Sequence, residues 1–144
     1  MTTKAIPNPY LGHWIYRSLY NNPDVTTDFD KLEIRRGILI IDQDERGALV
    51  GTLGQPGEEM KLYGSFGFGA GESCRFRASG VIAGQDWCLD FFAVAVPIWP
   101  SSTPAEQVPT LVGSVTRVNA HPSAAPGAVD PAGAVGTIYA VRLS

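Results

Sequence analysis

Two charges stand out against apolar surroundings in this 144-residue chain. The run Asp86-Trp87-Cys88-Leu89-Asp90-Phe91-Phe92-Ala93-Val94-Ala95-Val96 reads as a long apolar strand with Asp90 inside it, and Thr110 to Asn119 reads as a second strand carrying Arg117. If the two pair antiparallel with Val96 opposite Leu111, Asp90 falls opposite Arg117, because antiparallel partners keep a constant sum of residue numbers. A carboxylate held by a guanidinium in an apolar lumen stays ionised and can accept a proton or a hydrogen bond. The arginine can clamp a carboxylate or enolate oxygen. The pair could equally staple two strands, although desolvating both charges makes stability alone a weak reason to keep it. Truncating either partner of a buried pair should cost roughly 3 to 5 kcal/mol.

Other side chains could join them. Tyr16, Tyr20 and Tyr139 supply hydroxyls at expected wall positions, with rings suited to packing and tips suited to a polar partner. Trp99 sits in Pro97-Ile98-Trp99-Pro100, a stiff bend at a barrel rim that could cover an opening, stack on a ligand or simply plug a corner. His13 and His121 are the only histidines; no third ligand is nominated, so no metal is expected, and His121 reads as a surface residue of a flexible loop. Gly67 to Gly71 lacks the strand-to-helix context of a nucleotide fingerprint, Asp42-x-Asp44 lacks the other ligands of a calcium loop, and no serine stands in a nucleophile elbow. No cofactor is expected.

The elements that must position these residues are strands. Gly (16) and Pro (11) are abundant, the apolar runs are short and rich in β-branched or aromatic residues, and no stretch keeps a helical period for three turns. Eight strands are expected: His13 to Tyr20, Lys31 to Ile41, Ala48 to Leu53, Glu59 to Phe68, Ser73 to Ile82, Asp86 to Val96, Thr110 to Asn119 and Val135 to Leu143. They suggest an all-β, eight-stranded antiparallel up-and-down barrel, which removes sheet edges. One domain spans residues 1–144, with an extended segment at 1–11 and a flexible Ala/Pro/Gly-rich loop at 120–134.

Pairing Ile41 with Leu49, Leu53 with Met60, Phe66 with Cys74 and Ala78 with Asp90 carries the register through the hairpins. That places Leu39, Leu49, Leu53, Met60, Leu62, Cys74, Phe76, Ala78, Cys88, Asp90, Phe92, Val94, Val115 and Arg117 on one face, the expected interior. Trp87, Leu89, Phe91, Ala93 and Val112 then fall outside, an apolar patch that suggests a homo-oligomer, a dimer or higher.

A net charge of -3 with a pI near 5.2 gives no footprint for nucleic acid. The first nine residues hold no signal-like apolar run, and Phe91 to Ile98 is too short to span a bilayer, so no membrane partner and a cytoplasmic location are expected. Cys74 and Cys88 make no disulfide framework and read as buried thiols.

Gly12-His13-Trp14 opens the first strand with the Gly-x-Trp of the calycin superfamily, and Gly47-Ala48-Leu49-Val50-Gly51-Thr52 and Leu62-Tyr63-Gly64-Ser65-Phe66 resemble the third and fourth strands of its avidin and streptavidin branch. The resemblance implies a closed eight-stranded barrel with a ligand cavity at one open end and often an oligomer. It implies Trp14 inward at the closed end and Tyr16, Ser18 and Tyr20 along the cavity. Biotin is not implied: Tyr16 replaces a small amide side chain, Leu53 stands where those proteins use a tyrosine, and the tryptophan-rich fifth strand is missing.

The expected function is a small-molecule-binding barrel enclosing a largely apolar or aromatic ligand with one polar or anionic group, oriented by Tyr16, Ser18, Tyr20, Asp90, Phe92, Trp99, Arg117 and Tyr139. One alternative is a cofactor-free isomerase or cyclase in which Asp90 and Arg117 are catalytic. Another is a structural oligomeric module with a filled interior.

Overall fold

Met60, Leu62, Gly64 and Phe66 alternate with Lys61, Tyr63 and Ser65, a period of two that only a strand with one buried side satisfies. The computed structural model describes residues 8–67, 72–103, 105, 107–122 and 127–143, and this alternation recurs around a closed barrel. Its strands are β1 (Gly12–Tyr20), β2 (Glu33–Gln43), β3 (Leu49–Gln55), β4 (Glu58–Phe66), β5 (Cys74–Ile82), β6 (Gln85–Ala95), β7 (Thr110–Arg117) and β10 (Val135–Arg142). Each pairs antiparallel with the next, and β1 closes the ring against β10. Between β7 and β10 a two-stranded ribbon, β8 (His121–Pro122) with β9 (Val129–Asp130), forms a separate small sheet. The loop expected to be flexible at 120–134 therefore contains paired structure, while its residues 123–126 lie outside the described set, as do residues 1–7 of the expected N-terminal segment and the 68–71 part of a glycine-rich turn.

The second strand begins later than expected. Phe29–Leu32 forms a single helical turn, α1, and β2 starts at Glu33. No helix among the described residues is long and apolar enough to cross a membrane.

Pairing traced from Gly12 through Ile41, Gly51, Leu62 and Ala78 reaches Leu89, whereas the opposite way round, from Tyr16 through Ala140 and Leu111, it reaches Ala95. Four residues along β1 and six along β6 give a stagger of ten for eight strands. An eight-stranded barrel has an interior that side chains fill or that holds one small ligand.

Register decides which side chains enter that interior. Leu53 faces Met60 and Phe66 faces Cys74 as expected, and Ile41 faces Gly51, two residues from the expected partner and so of the same parity. The β5–β6 hairpin differs by one. Ile82 faces Gln85 across Ala83-Gly84, whose φ values of 51° and 77° are those of a tight primed turn. Ala78 is then opposite Leu89 rather than Asp90, and a one-residue shift turns every side chain of β6 over. Trp87, Leu89, Phe91 and Ala93 point inward; Cys88, Asp90, Phe92 and Val94 do not. The outer patch expected from the first four is not on the surface, and self-association loses that premise.

One half of the barrel is filled. Trp14, Leu39, Ile41, Leu49 and Leu111 are fully buried there. Cys74 lies among them, its thiol pushed up to about 12 by burial, which leaves it an inert packing residue.

Candidate functional site

The unfilled half lies where β1 and β7 end and β2, β6 and β10 begin. Inward parity brings Tyr16 and Ser18 from β1, Arg35 from β2, Trp87, Leu89 and Phe91 from β6, and Val115 and Arg117 from β7 around one cavity of about 60 Å³. Tyr20 stands at its rim, half exposed. Apolar walls with a few convergent polar groups are the usual make-up of a small-molecule site.

The ribbon covers one side of this mouth. His121 stacks on Trp87 with ring centres 3.8 Å apart and planes 20° apart, and the Arg35 guanidinium lies 4.8 Å from the centre of the same indole. Arg117 anchors the returning arm: its Nη1 donates to the carbonyl of Pro131 at 3.2 Å and its backbone N–H to that of Ala134 at 2.9 Å. Arg35 Nη2 is 3.6 Å from Glu58 on β4.

Three buried polar atoms have no hydrogen-bond partner among the described residues: the Tyr16 hydroxyl, Arg35 Nη1 and His121 Nε2. The first two belong to residues that line the cavity, and His121 packs against Trp87, one of its walls. Tyr16 is 2% exposed and His121 3%. Leaving one such group unmade costs about 1 to 3 kcal/mol, more for a charged one, so three at one place call for a reason beyond folding. Burial pushes the Tyr16 hydroxyl up to about 12, against a smaller opposing pull from Arg35, so it remains a hydrogen-bond donor at neutral pH. Burial first, then Arg117 and Arg35, holds His121 below the usual imidazole range, against the carboxylate of Asp130.

The facing Asp90–Arg117 pair expected from sequence does not form. Asp90 pairs across the strands with Thr116, and its carboxylate takes two hydrogen bonds from Arg77 on the outer surface, at 2.7 and 3.0 Å. Hydrogen bonding from Arg77 lowers the Asp90 carboxyl below its ordinary range. Arg117 keeps its inward place and lines the mouth without it. Phe92 is outside with Arg75 5.1 Å from its ring centre, for the same change of parity. Tyr139 is also on the outer side, because Ile138 and Ala140 take the inward positions of β10; Arg17 lies 5.8 Å from its ring centre. Trp99 is 69% exposed in the connection from β6 to β7, at the end opposite the mouth.

Arg35, Trp87 and His121 are the site residues that sequence reasoning missed. Arg35 shares parity with Leu39 and Ile41, so extending their alternation by two steps reaches it. His121 was read as a surface residue and is buried, because a ribbon of two residues per strand folds it inward; so short an element leaves no periodicity to read.

A second concavity, on the outer face of β4 to β7, is wider at about 350 Å³ and is lined by Tyr63, Arg75, Arg77, Asp90 and Phe92 among others. None of the buried unpartnered atoms belongs to it. No group of three or more potential metal ligands occurs among the described residues. Comparison of the chain with family models, with curated proteins and with solved structures finds no match.

Proposed function

We propose that this barrel binds, in its mouth, a small, largely apolar or aromatic molecule carrying one anionic group. The observation that carries this is the pair of buried, unpartnered donors, Tyr16 Oη and Arg35 Nη1, in an apolar pocket that also holds Arg117. A carboxylate beside the two guanidiniums would satisfy the buried Nη1 of Arg35. Leu89, Phe91, Val115 and the Trp87 ring would take the apolar part, with Ser18 and Tyr20 beside it. Because the space is small, the anionic head and a few carbons fit inside, and a longer body would extend past the rim. The calycin-like resemblance supports the reading by placing a ligand at one open end of such a barrel, without the contacts that would make it biotin. An isomerase or cyclase built on an Asp90 and Arg117 pair does not have that pair in the lumen, so binding is the reading carried forward.

The test is a thermal-shift series with benzoate and 3-methylbutanoate against their neutral amides. Stabilisation by the acids alone, diminished in Arg117→Ala, is the expected result. No stabilisation by any acid, or equal stabilisation by the amides, overturns the proposal.

A further inference from the structure

We infer that the mouth takes a monoanionic weak acid, a carboxylate, and that one proton is taken up on His121 as the acid binds. This rests on the binding reading above and narrows it from an anion of unstated charge to a carboxylate plus a proton.

Charged side chains from several elements surround His121. Arg35 from β2 lies against the same indole, and Arg117 projects from the end of β7. Asp130, its ladder partner, comes from β9, and Glu58 from β4 sits beside Arg35. The strand directly against the imidazole, β6, offers only the uncharged Trp87, and β1 offers Tyr16, held protonated by burial. Two arginines therefore stand against two carboxylates, and the mouth is close to neutral while the imidazole is neutral. A bound monoanion leaves one uncompensated negative charge, which a proton on His121 removes. A permanent dianion such as sulfate leaves one negative charge even after that proton has been taken up. Uncompensated charge is costly where solvent is scarce, so the arrangement favours carboxylate over sulfate.

The same geometry explains why the proton arrives with the ligand. In the free protein the loss of water, and after it the two guanidiniums, oppose an imidazolium at this position, against a smaller pull from Asp130. An anion lying against the arginines offsets their repulsion of His121, which packs on Trp87, a wall of the cavity. Proton uptake on binding means, by linkage, that affinity rises as pH falls.

Calorimetric titration of benzoate into the whole chain at neutral pH, in two buffers of different ionisation enthalpy, reads this directly. Carboxylates stay ionised well above their pKa near 4, so a proton taken up must reside on the protein. The expected result is a binding heat that changes with buffer in proportion to a substantial fraction of one proton, and a Kd that tightens roughly three- to tenfold from pH 8 to pH 6. His121→Phe, which keeps a ring for Trp87, should bind benzoate about tenfold more weakly at pH 6, with the residual binding showing neither effect. Inorganic sulfate, a dianion throughout this pH range, should bind at least about tenfold more weakly, as a charge mismatch of about 1.4 kcal/mol or more requires. Benzoate binding with no buffer dependence and a flat pH profile overturns the proton uptake. Sulfate binding as tightly as benzoate overturns the charge argument, and absence of any benzoate heat at every pH overturns the binding reading itself.

Discussion

At the closed end Trp14 is 1% exposed and its indole N–H donates to the Tyr10 carbonyl at 3.0 Å, while Arg142, 4.4 Å from that ring's centre, donates to the carbonyls of Leu11 and Pro9 at 2.8 Å each. At the mouth another indole, Trp87, also lies beside an arginine, yet Arg35 Nη1, the Tyr16 hydroxyl and His121 Nε2 have no partners among the described residues. The two ends use the same residue types, Trp with Arg and Tyr. They differ in whether the polar atoms are finished by the chain itself. Satisfied polar groups around a filled core hold a fold together, whereas unsatisfied ones around a gap cost stability and keep donors ready for a ligand.

If that contrast is right, the two ends should respond to substitution in opposite ways. Trp14→Ala should have the largest effect on folding, a loss of about 3 to 5 kcal/mol in denaturant unfolding, because it opens a cavity in the filled half. Arg117→Ala should weaken acid binding about 30-fold or more, following the roughly 2 to 5 kcal/mol lost when one partner of a buried charge pair is removed. Asp90→Asn, on the outer surface, should leave that affinity unchanged, and a comparable loss in both variants would break the distinction.

Smaller effects sharpen the comparison. Tyr16→Phe should stabilise the ligand-free protein by about 1 kcal/mol, since it deletes a buried hydroxyl that has no partner, and should weaken acid binding. Destabilisation by the same substitution would show that the hydroxyl is already satisfied. The pH dependence has a definite sign. His121 is held below its unfolded value, so the unfolded chain binds the extra proton more readily as pH falls. The ligand-free protein should therefore keep this contribution above about pH 6.5, the ordinary imidazole value, and lose it progressively below as pH falls through the folded value. Thermal unfolding of wild type and His121→Phe across that range measures the difference, and parallel profiles would contradict it.

Most of the architecture was legible, because the strands advertise themselves by alternation and the turns by glycine. All eight barrel strands lie close to where the residues placed them, and β3 to β5 pair as Leu53, Met60, Phe66 and Cys74 predict. What failed was the parity of one strand. On β6 both sides are apolar, Trp87, Leu89 and Phe91 on one and Cys88, Phe92 and Val94 on the other, so the hydrophobic pattern could not choose a register. The decision lay in the turn, where Ala83 with Gly84 makes a two-residue connection that the sequence does not flag as Asn-Gly would. Arg117 was placed correctly because it extends the inward alternation of Val115 on its own strand. Its supposed partner was not, because Leu111 faces Ala95 rather than Val96, which sets Asp90 opposite Thr116.

The three tryptophans mark three regions: Trp14 the closed end, Trp87 the mouth and Trp99 the exposed connection between β6 and β7. A ¹H–¹⁵N NMR titration with benzoate can follow their three indole N–H signals in one spectrum. A saturable shift of the Trp87 signal, with Trp14 and Trp99 unmoved, is the predicted result. Saturating movement of Trp99 with Trp87 still, or no movement of any of the three, would contradict a ligand site in the mouth.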